Sequence, residues 1–227
     1  MTDQAGVAAA WDRVEEWLSR NAPSDYVALR PPAEAGEIEE ITEYRFDLHP
    51  DVATLLRRHD GSGQGTGGFF LPGDFCLYSA AQMRDGQRGM ERSVAWSLEG
   101  EGVAQFTVRQ GVTMSGDDET PFDAEDVGLA LVPFDAHVKW VPIGRTASGD
   151  ELVVDHREGD AYGSVRVIAS GMTEAAPVWW DSVADMLQST VTALETMSPL
   201  TSVWGGRMFP ETAEVPGGGT VLHWELA

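Results

Sequence analysis

The amino-acid sequence predicts an α+β fold, a mostly antiparallel sheet arranged as a meander with helices packed around it. Three short apolar runs rich in β-branched residues lie at 140–143, 152–154 and 165–168, separated by clusters of Gly, Ser and Asp. This pattern is typical of strands joined by hairpins. Segments with apolar residues at helical spacing come before and after the runs. Of the 227 residues, 42% are hydrophobic, enough to bury a core.

Helices are predicted over most of the first 60 residues. The first spans residues 7–18, and the second spans 34–46 with its acidic side chains early, where the helix dipole favours them. The third spans 51–59, with Pro50 in its first turn. Residues 26–32 are predicted to form an extended linker, because a proline disfavours helix in the residue before it.

Shorter elements are predicted in the middle of the chain. Residues 69–78 have a strand-like pattern, 80–92 are expected to be helical in part, and 104–114 have the alternation of two strands around a turn. An acidic loop at 115–126 is followed by a further predicted strand at 127–134.

A last helix is predicted to begin at Ser182, whose hydroxyl can accept a hydrogen bond from the amide of Asp185. Further on, residues 220–226 alternate between apolar and polar and predict an edge strand.

One main domain is expected over residues 1–198, with an acidic insertion around 87–136. Residues 199–227 would form a C-terminal extension.

The charge of the chain restricts its partners. It has 37 acidic residues against 15 Lys and Arg, a formal net charge of −22. Such a field repels nucleic-acid phosphates and attracts a basic protein. We therefore expect no nucleic-acid binding, although an ordinary soluble acidic protein would have the same composition.

The compartment is predicted from cysteine content and apolar segments. A single cysteine, Cys76, excludes an internal disulfide and fits a reducing environment, and its apolar neighbours predict a buried, inert thiol. The first residues lack a signal-peptide pattern, and no apolar run approaches the ~18 residues of a membrane span. A cytoplasmic protein without a membrane segment is expected, and its oligomeric state is left open.

Several fragments, taken in order, resemble the SMI1/KNR4 family of the SUKH superfamily. In the first half they are RPPA (30–33), EI (37–38), LHPDV (48–52) and LLRRHDG (55–61). In the second half they are WVPIG (140–144), SGD (148–150) with Leu152 and Asp155, GSV (163–165) and SVADML (182–187). The chain departs from the family in its longer, more acidic segment at 87–136 and in its extra tail.

This resemblance implies both a fold and a role. The family fold is an α+β domain with a mostly antiparallel sheet. Bacterial members resemble immunity proteins that bind and neutralise a cognate toxin, often a nuclease, while fungal relatives resemble regulators of the cell wall and signalling. A non-enzymatic immunity protein is the first hypothesis, and a regulatory or scaffold protein that binds a cellular partner is the alternative. The positions that match the family motifs are Asp60, Gly61, Trp140, Pro142, Gly149, Asp150 and Asp155.

Two features of the sequence have patterns that cofactor binding or catalysis could use. The glycine-rich segment 61–68 can cradle a phosphate through its amides, but the only lysine, Lys139, lies far from it and is not followed by Ser or Thr, as a Walker loop requires. His156 beside Asp155 is either a polarised base or an ordinary histidine at a strand end. We predict no catalytic residues, no metal site and no cofactor.

Partner contacts are predicted in two places. One is the acidic loop, at Asp117, Asp118, Glu119, Glu125 and Asp126, which is alternatively a solvated loop or a cation site. The other is the Trp179–Trp180 pair, whose side chains should face opposite ways in an extended segment, leaving one exposed. Trp140 is expected in the core.

Overall fold

The computed structural model describes residues 3–63, 65–98, 136–170 and 175–227. Within these ranges the chain mixes helices with antiparallel strands, so the predicted α+β class is confirmed. The elements, in chain order, are α1 (Gln4–Asn21), α2 (Pro23–Ala28), α3 (Ala35–Glu39), α4 (Pro50–Arg58), β1 (Cys76–Leu77), α5 (Ala80–Leu98), β2 (Trp140–Arg145), β3 (Glu151–Asp155), β4 (Val165–Ile168), β5 (Val178–Trp180), α6 (Val183–Thr196), β6 (Leu200–Thr201), β7 (Arg207–Glu214) and β8 (Thr220–Leu226).

The central sheet is an antiparallel meander of five strands in the order β1-β2-β3-β4-β5. Trp140 pairs with Asp155 across β2 and β3, and Leu152 pairs with Val167 across β3 and β4. The three predicted runs therefore form neighbouring strands joined by hairpins. The side chain of Cys76 in β1 is buried, as predicted.

The two faces of this sheet bury different sets of side chains, because successive residues of a strand point to opposite faces. Val141 and Val154 belong to the main core, together with Trp11 of α1 and Leu187 of α6. On the opposite face Trp140, Val153 and Ile168 form a smaller cluster with Met90 and Val94 of α5. The ribbon β2–β4 thus lies between two apolar layers.

The C-terminal extension forms a second antiparallel sheet, in the order β6-β7-β8. Met208, Leu222 and Trp224 belong to the main core, so this sheet is packed against the body of the protein. The predicted strand at 220–226 exists as β8, at the edge of this second sheet.

Two predicted elements near the N-terminus are wrong in extent. The predicted linker 26–32 begins inside α2, which Pro23 initiates, because the later prolines restrict only the residue just before each of them. The predicted helix 34–46 ends at Glu39 and is followed by turns. It cannot continue to residue 46, because Glu43 and Tyr44 take left-handed φ angles of 49° and 61°.

Other predictions differ in length or fall outside the described residues. Helix α5 extends beyond the predicted 80–92, and within 69–78 only β1 and an isolated bridge between Leu71 and Phe75 are strand-like. The predicted strands at 104–114 and 127–134 lie outside the described residues. Among the described helices, none is both long and apolar enough to cross a membrane.

Candidate protein-binding site

The motif positions Asp60 and Gly61 hold the N-terminal segments against α5 and β1. A carboxylate oxygen of Asp60 accepts the amide of Ala80 at 2.7 Å, at the start of α5, and its own amide donates to the carbonyl of Pro31 at 2.8 Å. Gly61 has φ of 72°, and a Cβ there would lie 2.5 Å from the carbonyl carbon of Tyr78. Both residues therefore have a structural role.

The motif positions in the β2–β3 hairpin have the same character. Asp150 accepts hydrogen bonds from the amide of Ser170 at 2.9 Å and from the hydroxyl of Ser148 at 3.1 Å. Gly149 takes a φ of 95°, and Pro142 packs against Gly86 of α5 so closely that a Cβ on that glycine would lie 3.2 Å from the proline Cγ. These contacts fix the turn and the position of α5.

Asp155 and Trp140 form the centre of a buried charged layer. The carboxylate of Asp155 lies 2.5 Å from Nη2 of Arg157 and 3.4 Å from Nε of Arg166, and both guanidinium groups lie over the Trp140 ring, at 5.4 and 5.2 Å from its centroid. Burial alone would raise the pKa of Asp155, but the hydrogen bonds and charge of Arg157 outweigh it and lower that pKa.

His156 is held by contacts at both ring nitrogens. Its Nδ1 lies 2.9 Å from the carbonyl oxygen of Val154, and its Nε2 accepts the backbone amide of His49 at 2.9 Å. Burial lowers the pKa of His156 to about 4, so the ring is neutral at pH 7. Since Asp155 pairs with arginines and both nitrogens of His156 are engaged, the geometry favours the ordinary strand-end histidine over the polarised base.

The glycine-rich segment holds an anion that belongs to the chain itself. The two carboxylate oxygens of Asp25, a buried residue of α2, accept the amides of Gly68 and Leu222, each at 2.6 Å. Burial raises the pKa of this carboxyl. The amides of Ser62 and Gly63 likewise donate to backbone carbonyls, so at least three amides of the segment are not available to a phosphate.

A partly enclosed groove lies between the central sheet and the C-terminal sheet, and three tryptophans line it. Its volume is about 230 Å³. The lining residues are Gly73, Asp74, Phe75, Thr146, Asp150, Val167, Trp179, Ser202, Val203, Trp204, Met208, Trp224 and Leu226.

Two tryptophans of the inner wall are held by hydrogen bonds. Trp224 of β8 is buried, and its indole N–H donates to the carbonyl of Phe70 at 3.0 Å. Trp179 of β5 is half-buried, and its indole N–H donates to the carbonyl of Thr201 at 3.1 Å. These hydrogen bonds fix the orientation of the two rings that line the groove.

Trp179 and Trp180 do not face opposite ways as predicted. Their rings stack with centroids 4.0 Å apart and 20° between the planes, and Trp180 is buried. The physical reason is a register shift between β4 and β5, next to Val165, since such irregularities redirect side chains. Trp179 is therefore the member of the pair that lines the groove.

The outer rim is exposed and apolar. Trp204 is 58% exposed and follows β6 in a turn closed by the Ser202 amide on the Gly206 carbonyl, and Leu226 is 64% exposed. A large aromatic side chain left in water beside a formed groove is typical of a protein contact.

The charge of the groove is negative. Asp74 and Asp150 line it, and none of its thirteen lining residues, all from the described chain, is basic. Asp74 accepts the amide of Trp224 at 3.0 Å, and its other oxygen lies 3.0 Å from Nδ1 of His223. Burial raises the pKa of Asp74. Indole rings beside carboxylates favour a basic or apolar guest over an acidic one.

The groove is lined by one contact residue that the sequence predicted and by several that it did not. Trp179 was predicted, whereas Trp204, Trp224 and Asp74 were missed. A bulky tryptophan directly before Gly205 and Gly206 was a usable signal for an exposed anchor at Trp204. The predicted acidic contacts Asp117, Asp118, Glu119, Glu125 and Asp126 lie outside the described residues and stay predictions.

Comparisons with known proteins leave the function to be inferred from geometry. A scan against models of protein families finds no match, and a search among curated proteins finds none either. Among the described residues there is no group of three or more His, Cys, Asp or Glu side chains able to hold a metal ion.

Proposed function

We propose that this chain is a non-enzymatic, protein-binding domain of the SMI1/KNR4 type that acts as an immunity protein, neutralising a toxin by binding it. The observation that carries the proposal is the negatively charged groove with Trp204 exposed at its rim. Tryptophan is the residue type most enriched among the anchors of protein interfaces.

Contacts between separate motif fragments support the family part of the proposal. The RPPA fragment meets LLRRHDG through the Pro31 carbonyl and the Asp60 amide. The LHPDV fragment meets GSV, because a Cβ on Gly163 would lie 2.5 Å from Nε2 of His49. Fragments that each resemble the family in sequence thus contact one another in space, as parts of one framework do.

The charge distribution supports a basic partner. At least eight arginines of the described chain pair with the protein's own carboxylates; they are Arg13, Arg20, Arg45, Arg58, Arg84, Arg88, Arg157 and Arg166. Pairing leaves few of these arginines to repel a basic guest locally, and the net charge of −22, which already counts all basic residues, steers a basic protein toward the surface.

The test is neutralisation in cells. The product of the neighbouring gene is expressed alone and together with this chain, and we expect growth arrest in the first case and rescue in the second. Trp204→Ala should weaken binding of the purified pair about 30-fold, the effect of an anchor worth ~2 kcal/mol. Tyr44→Ala is the matched control, because Tyr44 is 74% exposed and does not line the groove.

A pull-down from the native host separates the two roles that the resemblance implies. An immunity protein should return one dominant partner that is toxic when expressed alone. A dominant partner without toxicity would reject immunity and favour the regulatory or scaffold role.

A further inference from the structure

The groove between the two sheets has the size of a slot for one side chain. Its volume of about 230 Å³ falls below the ~300–1,000 Å³ of pockets that enclose small molecules and cofactors. An exposed rim at Trp204 and Leu226 suits a side chain that enters from a neighbouring protein surface.

The walls favour a flat cation. Trp204 presents an indole ring at the rim, and Trp179 and Trp224 line the interior. Indole faces attract cations, and the planar guanidinium of arginine also stacks on them, which the ammonium of lysine does not.

The carboxylates complete the chemistry. The Trp224 amide donates to one oxygen of Asp74, whose other oxygen lies 3.0 Å from Nδ1 of His223, and Asp150 accepts from the Ser170 amide and the Ser148 hydroxyl. Each carboxylate oxygen has two lone pairs, so both groups can still accept a further donor. Fixed acceptors lose little side-chain entropy when a guest binds. A guanidinium carries five N–H donors and matches carboxylates in geometry as well as in charge.

We propose that this groove binds an arginine side chain of the partner protein, its guanidinium stacked on Trp204 and directed toward Asp74 and Asp150. The inference rests on the proposed function for the nature of the occupant, a residue on a basic protein surface. It does not require that the partner protein be a toxin.

The direct test uses peptides and the full-length chain. Capped Gly-Gly-X-Gly-Gly peptides with X as Arg, Lys or Leu are titrated while the indole N–H resonances are followed by NMR. We expect the arginine peptide to shift the Trp204 and Trp179 resonances and to bind several-fold more tightly than the lysine peptide, with leucine weakest. Equal binding of leucine or of lysine overturns the assignment to arginine, and so does the absence of shifts with all three.

Two variants tie the binding to the groove. Trp204→Ala and Asp74→Asn should each weaken the arginine peptide about tenfold. Asparagine keeps an acceptor for the Trp224 amide and tolerates the φ of 58° at position 74, so the substitution removes the negative charge and its pairing with His223 while the backbone contact is kept. Tyr44→Ala and Asp47→Asn, outside the groove, are the controls and should bind like the parent chain. Unchanged binding in both groove variants overturns the proposal.

The outcomes separate the slot from the immunity role. If the peptide binds as expected but no toxin is neutralised, the arginine slot stands and the immunity role fails. If neutralisation succeeds while both groove variants protect fully, the slot fails and the immunity role stands.

Discussion

Two tryptophans represent two regions of this molecule with opposite properties. Trp140 is buried on the central sheet between Arg157 and Arg166, inside the segment that resembles the SMI1/KNR4 signature. Trp204 is 58% exposed beside a turn of the C-terminal extension. The signature segment, the framework, pairs its buried carboxylate Asp155 with Arg157 and Arg166, whereas the groove presents aromatic and charged groups to water. We therefore expect the framework to determine the fold and the groove to determine which partner is bound.

The largest expected effect comes from removing the framework tryptophan. Trp140→Ala should lower the free energy of unfolding by about 3–5 kcal/mol, because it deletes a large buried ring and leaves both arginines without their aromatic contact. Urea denaturation measures the change. A loss comparable to that of a surface substitution would show that the ring is not part of the framework.

The pH dependence of stability sharpens the comparison at His156. The folded-state pKa of about 4 lies below the ordinary value of 6.5, so the contribution of His156 is present above pH 6.5 and is lost as pH falls toward 4. His156→Gln does not titrate there. The difference in free energy of unfolding between the parent chain and this variant should shrink by about 3 kcal/mol between pH 7 and pH 4. Urea denaturation of both chains at each pH measures it. A constant advantage would contradict the buried, neutral ring.

The attachment of the C-terminal sheet to the body of the protein is tested at Asp25. Asp25→Ala leaves the amides of Gly68 and Leu222 without their acceptor and should cost about 2 kcal/mol. Amide hydrogen exchange should accelerate at Leu222 in β8 by more than the loss of global stability accounts for. Amides of β3 should accelerate only by the amount that this loss accounts for. Equal acceleration in both sheets would show that they open as one unit.

The smallest expected effect is on the stability of the groove variant. Trp204→Ala should change the free energy of unfolding by only about 0.5 kcal/mol, since most of the ring is in water. Measured beside Trp140→Ala in the same urea experiment, it compares the same substitution at a buried and at an exposed tryptophan. A loss of several kcal/mol at Trp204 would place it in the framework instead.

The elements that could be predicted from the sequence are those that depend on residues close to one another in the chain. The strands at 140–143, 152–154 and 165–168 follow from β-branched runs between flexible turns, and the start of α6 follows from the capping pair Ser182 and Asp185, whose hydrogen bond is present at 3.0 Å. The stop of α3 was missed because it depends on left-handed backbone at a glutamate and a tyrosine, residue types that do not signal it.

The groove could not be predicted from local sequence patterns, because its residues are distant from one another in the chain. Asp74 and Trp224 are 150 residues apart in the chain and meet through one hydrogen bond. Neither residue has a local pattern that announces the other. Only the packing of the C-terminal sheet on the body of the protein brings them to one place.

The hydrogen bonds of Asp25 and Asp74 also have a consequence for self-association. β8 is the last strand of its sheet, and on its outer side the amides of Leu222 and Trp224 are taken by these two carboxylates. An unguarded edge strand offers such amides to any passing strand and so nucleates aggregates. Here two acidic side chains from elsewhere in the fold occupy them, so that a second copy of the chain finds no donors at these two positions.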